Sequence, residues 1–198
     1  LSTPSTLSNG NLQAVYAGSG SYATASSTLG MTSGKYYCEV KLTLTNNYPS
    51  VGICATNSDH ATIQDQADWL GRDADTYGLY TNAGDVFNNG SSINTFGAIS
   101  TGDIIGMALD LDSAQNTLKY YKNGSLIGTQ NITTNSNGWL FGCTNQSTGS
   151  TNAQFNFGNG YFGTTAVASA GTNASGNGIF EYDVPTGYTA LSTKGLNE

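Results

Sequence analysis

Residues 102–128 read GDIIGMALDLDSAQNTLKYYKNGSLIG, and their pattern decides the fold. Ile105, Met107, Leu109 and Leu111 fall on one face of a period of two. Ile104, Gly106, Ala108, Asp110 and Asp112 fall on the other. That alternation predicts a β-strand with one apolar face. The small residues opposite leave room for a close neighbour, and the two acids are expected to end the strand in solvent. TLKYYK then runs into Asn123-Gly124. Both central residues of a type I′ turn need positive φ, which Asn-Gly tolerates, so the chain is expected to double back into SLIG as a hairpin.

The same period extends outward. In KYYCEVKLTL, residues 35–44, Tyr36, Cys38, Val40, Leu42 and Leu44 share a face, with Glu39, Lys41 and Thr43 opposite. The stretch reads as a half-buried strand. Asn89-Gly90 and Asn82-Ala83-Gly84 mark further turns. Short strands are expected at 50–56, 77–80, 85–88, 116–122, 126–131, 139–143 and 153–157. No window shows a helical period with caps. Many short strands with regular turns mean an all-β antiparallel sandwich or barrel. Residues 161–179, rich in Gly, Ala, Ser and Thr, read as a long loop. Residues 180–198 recover aromatic and apolar content and are expected to form a closing strand and tail on the same domain, 1–198.

The composition narrows the function classes. The 198 residues suit one domain. Charged residues are 10%, well under the usual quarter, while aromatics reach 11%, which disordered chains lack. Solubility rests on Ser, Thr, Asn and Gly, a palette of extracellular or virion β-proteins. The net charge is −7 with six scattered Lys and Arg, so no basic patch for nucleic acid can form. Anionic membranes would repel the chain, and no apolar run spans a bilayer. Cys38, Cys54 and Cys143 each sit in a strand-like apolar segment and read as small buried hydrophobes rather than a disulfide framework. The chain begins at Leu1 without a signal-peptide pattern and is expected to be a piece or processed product of a longer polypeptide.

Catalytic and cofactor motifs fail on inspection. GNGYFG, 158–163, matches the dinucleotide pattern, but TTAVASAGTNASG after it cannot make the required helix. Asp110-Leu-Asp112 begins like a calcium loop, yet Ala114, Gln115 and Tyr121 stand where ligands and a turn glycine are needed. His60 is the only histidine, and no G-x-S-x-G elbow occurs. Four zinc ligands at usable spacing are absent. Glutamates are few for a glycosidase pair. A non-enzymatic protein without cofactor or metal is expected.

The quoted stretch resembles the central signature of SPRY domains: G-D-x-I-G, an apolar strand ending in L-D, then an aromatic strand before K-N-G and L-G. SGKYYCEVKL (33–42), VGICA (51–55), YGLYTNAGDVFNNG (77–90) and AQFNFG (153–158) are similar to other family segments in the family's order, over about residues 30–160. Tyr36 and Cys38 stand where the family usually has tryptophans, so the core must be filled otherwise, by Trp69, Trp139 or the tyrosines. TLSNGNLQAV (6–15) and FEYDVPTGYTALSTKGLNE (180–198) are similar to segments flanking SPRY modules in tailed-phage virion proteins. The resemblance implies a bent antiparallel β-sandwich of concanavalin-type jelly-roll form, without chemistry of its own, whose loops gather at one edge to bind. It further implies a virion or extracellular location. The partners would be a host-surface protein or glycan, or neighbouring virion subunits in a capsid decoration, with a trimer as a candidate assembly. An intracellular adaptor is the lesser alternative.

The interior piece least like that family, residues 56–77, holds half of the ten aspartates with the only Arg and the only His. Its candidates are Asp59, His60, Asp65, Asp68, Trp69, Arg72, Asp73 and Asp75. Trp and Arg on a long loop are the ingredients of a binding hot spot. The opposing reading is that Trp69 plugs the core and the acids are solvated. Asn145 and Gln146, in an expected loop at 144–152, and Tyr48, in NNYPS, are the remaining binding candidates.

Overall fold

The computed structural model describes residues 5–16, 22–43, 49–58, 69–146 and 151–197. The chain first forms β1 (Ser5–Ser8), β2 (Gln13–Tyr16), β3 (Tyr22–Ser26), β4 (Lys35–Thr43) and β5 (Ser50–Ala55). There follow β6 (Thr76–Tyr80), β7 (Asp85–Asn88), β8 (Ser91–Thr95), β9 (Ile104–Asp110) and β10 (Thr117–Lys122). Next come β11 (Ser125–Asn131), β12 (Trp139–Gln146) and β13 (Thr151–Asn156), then the two-residue strands β14 (Tyr161–Phe162), β15 (Thr165–Ala166) and β16 (Thr189–Ala190). The larger sheet runs β1-β2-β13-β4-β9-β10-β11, with β16 beside β4; the smaller runs β3-β12-β5-β6-β7-β8. Apart from the parallel β16–β4 contact, both ladders are antiparallel.

The alternation places Cys38, Val40 and Leu42 against Val51, Ile53, Phe141 and Cys143 between the sheets. Each fully buried large apolar side chain of this kind stabilises by about 1.5–3 kcal/mol. All three cysteines are free and buried, as the pattern predicts. Trp139, 1% exposed, fills the core beside Tyr77, their rings 5.8 Å apart. The hairpin at Asn123-Gly124 has φ of 48° and 80°, and Asn89-Gly90 has 50° and 70°, the type I′ signature in both. The edge strands β8 and β11 each gain an extra residue, Ile93 and Ile127, against their partners. Such bulges discourage edge-to-edge pairing.

Three expectations need correction. β4 is buried on both faces, not half-buried: Glu39 is 0% exposed. Asp110 does not end its strand in solvent; it is 6% exposed, ion-paired to Lys35 at 2.9 Å, and accepts from Ser113 and Asp112. Residues 180–191 form no long closing strand, since only Thr189 and Ala190 pair, alongside Tyr36 and Tyr37.

The first and third corrections share a cause: the C-terminal segment crosses the outer face of the larger sheet. Phe180, Val184, Tyr188 and Ala190 pack there on Tyr37 and Ala108. The small second face of β9 is what admits this neighbour. A Cβ on Gly106 would overlap the Tyr37 hydroxyl. The segment is fastened at Glu39, whose carboxylate accepts the Glu181 N–H at 2.8 Å and the Tyr182 N–H at 2.9 Å. Tyr37 Oη and Asn156 Nδ2 donate to it more distantly, at 3.3 and 3.4 Å. Burial pushes the Glu39 carboxyl above its ordinary value; the N–H donors and Tyr37 oppose that, and the Glu181 charge adds to it. Asn156 anchors the connecting loop as well, its Oδ1 accepting from Gly158 and Gly160 and its Nδ2 donating to Ile179 O.

Candidate functional site

One end of the sandwich collects strand termini from both sheets. Tyr16 pairs with Thr151, and Thr43 with Asn152, in the larger sheet. Tyr22 pairs with Gln146, and Ser50 with both Thr144 and Tyr80, in the smaller. The connections 17–21, 44–48 and 147–150 start from these termini and lie outside the described residues, as do Tyr48, Asp59, His60, Asp65 and Asp68. The turn after β6 joins this end through Thr81 N–H to Pro49 O at 3.1 Å, and the chain before β9 through Ile99 N–H to Thr81 O at 2.8 Å.

Beside this end, residues 69–75 lie across the outer face of the smaller sheet. Glycine makes that possible: a Cβ on Gly78 would overlap the Leu70 carbonyl, and one on Gly142 would touch Leu70 Cδ1 at 3.6 Å. Leu70 is fully buried against Cys54 and Leu140. Its N–H donates to Thr144 Oγ1 at 3.1 Å, and the Gly71 N–H donates to Thr76 Oγ1 at 2.9 Å.

Trp69 is therefore not a plug of the core between the sheets. It stands half-buried on the outer face, 5.1 Å from the Tyr80 ring, 5.4 Å from Phe87 and 6.3 Å from Tyr22. All four rings keep partial exposure, and Arg72 is exposed beside them. Burial raises the Tyr22 hydroxyl above its ordinary value, and the Arg72 charge partly offsets it. Edge contacts among these rings hold an aromatic ledge in place. Asp73 and Asp75 serve locally through their backbones. The Asp73 carbonyl takes the Thr76 and Asn89 N–H groups at 3.2 Å each, and the Asp75 carbonyl takes that of Ala55 at 2.9 Å.

The expected loop at 144–152 begins later than the sequence pattern placed it. Asn145 lies within β12, opposite Ala23, and shares a face with the core residues Phe141 and Cys143. It is 0% exposed, and neither of its amide atoms has a hydrogen-bond partner among the described residues. It is thus corrected from surface contact to interior residue. Gln146 is the last residue of that strand.

No group of three His, Cys, Asp or Glu among the described residues could hold a metal ion. Burial pushes the Cys54 and Cys143 thiols up to about 12, far from a thiolate at neutral pH. Tyr22, Tyr80 and Phe87 were not singled out by sequence. Their signal was available in the alternation, which sets Tyr80 on the face opposite Leu79 and beside Gly78.

The two-sheet architecture defines an all-β antiparallel sandwich. The SPRY domain family model matches residues 35–160, more than half of the chain, and this chain belongs to that family. Solved structures of the same fold include a human SPRY domain at 16% identity, covering 76% of this chain and 93% of that one, with a TM-score of 0.60. The SPRY domain of human HERC1 matches at 21% identity, 76% and 91% coverage and a TM-score of 0.58. The TRIM65 PSpry domain matches at 18% identity, 77% and 84% coverage and a TM-score of 0.59. No curated protein sequence matches this chain. SPRY domains are generally protein-interaction modules rather than enzymes.

Proposed function

We propose that this chain is the non-enzymatic recognition module of a tailed-phage virion protein, binding a host-surface protein or glycan with the loop-bearing end of its sandwich. The observation that carries the recognition surface is the half-exposed ledge of Tyr22, Trp69, Tyr80 and Phe87 with Arg72 beside it. Trp, Tyr and Arg dominate binding hot spots because they bring large contact area and fixed donors at low entropic cost. The virion assignment is supported by the flanking segments and by a surface of hydroxyls and amides in place of charges.

Immunogold labelling of virions with antibody to this chain tests the assignment. Label at tail or fibre tips supports it, label over the head makes the chain a decoration protein, and no label on any virion refutes it. Trp69→Ala and Arg72→Ala test the ledge. Each is expected to weaken binding to host cells by more than about tenfold, and Arg72→Ala to leave the melting temperature in place.

A further inference from the structure

A cleft of about 400 Å³ lies at the end of the sandwich opposite those loops. That is within the range of small-ligand pockets, roughly 300–1,000 Å³. Lys35, Tyr36 and Asp112 form one wall; Ser175, Gly187 and Tyr188 of the C-terminal segment form the other. The second wall lies beyond the residues that match the SPRY family, so the cleft exists only because this chain carries that extra segment.

Its electrostatics select against ions. Lys35 is paired with Asp110 at 2.9 Å, and Lys119 Nζ stands 5.6 Å from the centre of the Tyr188 ring. The lining itself carries one cation, Lys35, and one carboxylate, Asp112, and so has no net charge. What the walls do offer is hydrogen bonding in both senses. Asp112 Oδ1 accepts the Gly34 N–H at 2.6 Å, while Oδ2 has no donor among the described residues. The Tyr36 hydroxyl, on the same wall, makes no hydrogen bond among the described residues. At Gly187 the wall is open, since a Cβ there would meet nothing within 4 Å. Groups that both donate and accept, without net charge, are the hydroxyls of a sugar.

We propose that this cleft is a subsite for one neutral sugar residue of a surface glycan, with Asp112 Oδ2 accepting from its hydroxyls and Tyr36 Oη bonding a second. The proposal rests on the surface-recognition reading above, but its test needs only the purified chain. Sugar binding here, together with no label on any virion, would refute that reading and leave this one standing.

The experiment is amide NMR titration of the full chain with methyl glycosides of glucose, galactose, rhamnose and N-acetylglucosamine. The expected result is saturable shifts at Gly34 and Gly187 with one of them, at a Kd of about 1–20 mM. Asp112→Asn keeps an acceptor for Gly34 but replaces Oδ2 by a donor, and is expected to weaken binding about tenfold. Tyr36→Phe removes one hydroxyl and is expected to weaken it less, and it decides the matter if Asp112→Asn fails to fold. Absence of saturable shifts with all four glycosides overturns the proposal. So does wild-type affinity in the variants that fold, or occupation of the cleft by N-acetyl-argininamide in preference to every sugar.

Discussion

Glu39→Ala should unfasten the C-terminal segment while leaving the sandwich core in place. The Glu39 carboxylate is fully buried and accepts two backbone N–H groups, from Glu181 and Tyr182, at 2.8 and 2.9 Å. Removing it orphans both donors beneath the segment, and an unsatisfied buried donor costs about 1–3 kcal/mol. Relief from burying a charge offsets part of that sum, so a net loss of about 2–4 kcal/mol is expected. Urea unfolding followed by tryptophan fluorescence measures the total. Hydrogen exchange locates it: the amides of 181 and 182 should lose protection before those of β4 and β9. A loss under about 0.5 kcal/mol with unchanged protection at 181 and 182 would refute the view that Glu39 holds the segment.

Other outcomes follow from the same geometry. The Glu39 carboxyl is raised above its ordinary 4.5, chiefly by burial, so its contribution to stability is full below that value and is lost as pH rises through the folded-state value. The stability of wild type relative to Glu39→Gln should therefore fall across that window, and a flat difference in pH-dependent urea midpoints would contradict the shift. Asn145→Leu replaces two buried amide atoms without partners among the described residues by an apolar group of similar size, and should stabilise by about 1–2 kcal/mol; a lower thermal midpoint would show that Asn145 is satisfied in solution. Gly78→Ala sets a methyl into the Leu70 carbonyl and should destabilise by about 2–3 kcal/mol, with the aromatic ledge displaced in near-ultraviolet circular dichroism. Asn123→Ala removes the acceptor for the Ile104 N–H and forces positive φ on alanine, for a loss of about 1–2 kcal/mol by thermal melting.

The sandwich was legible because period-two alternation and Asn-Gly turns are local signals. The hairpin at Asn123-Gly124 could be read without knowing its neighbours. What escaped was non-local. Glu39 alternates with Cys38 and Val40 like any solvent-facing acid, and nothing within KYYCEVKL tells that residues 180–182 will cover it. Asp110 misleads for the same reason. Asn145 belongs to a run of polar residues that reads as a loop, but pairing of residues 144–146 with β3 carries β12 three residues further, and a buried asparagine has no local signature. Trp69 was recognised as a residue of interest, yet its placement depends on the glycines Gly78 and Gly142, which lie on different strands and come together only once the sheet is built.

The central position of β4 sets an order on the birth of this molecule. Three companions of that strand come far after it in the chain: β9 some seventy residues on, β13 later still, and the covering segment beyond residue 180. On a ribosome the face bearing Tyr37, Glu39 and Ala108 stays uncovered until residues 180–190 have been made. Local hairpins such as β10–β11 can close at once, while long-range pairing is slow and leaves apolar surface open to aggregation. A nascent chain stalled before residue 180 would carry a finished set of turns around an unfinished sheet, and would be a natural client for a chaperone.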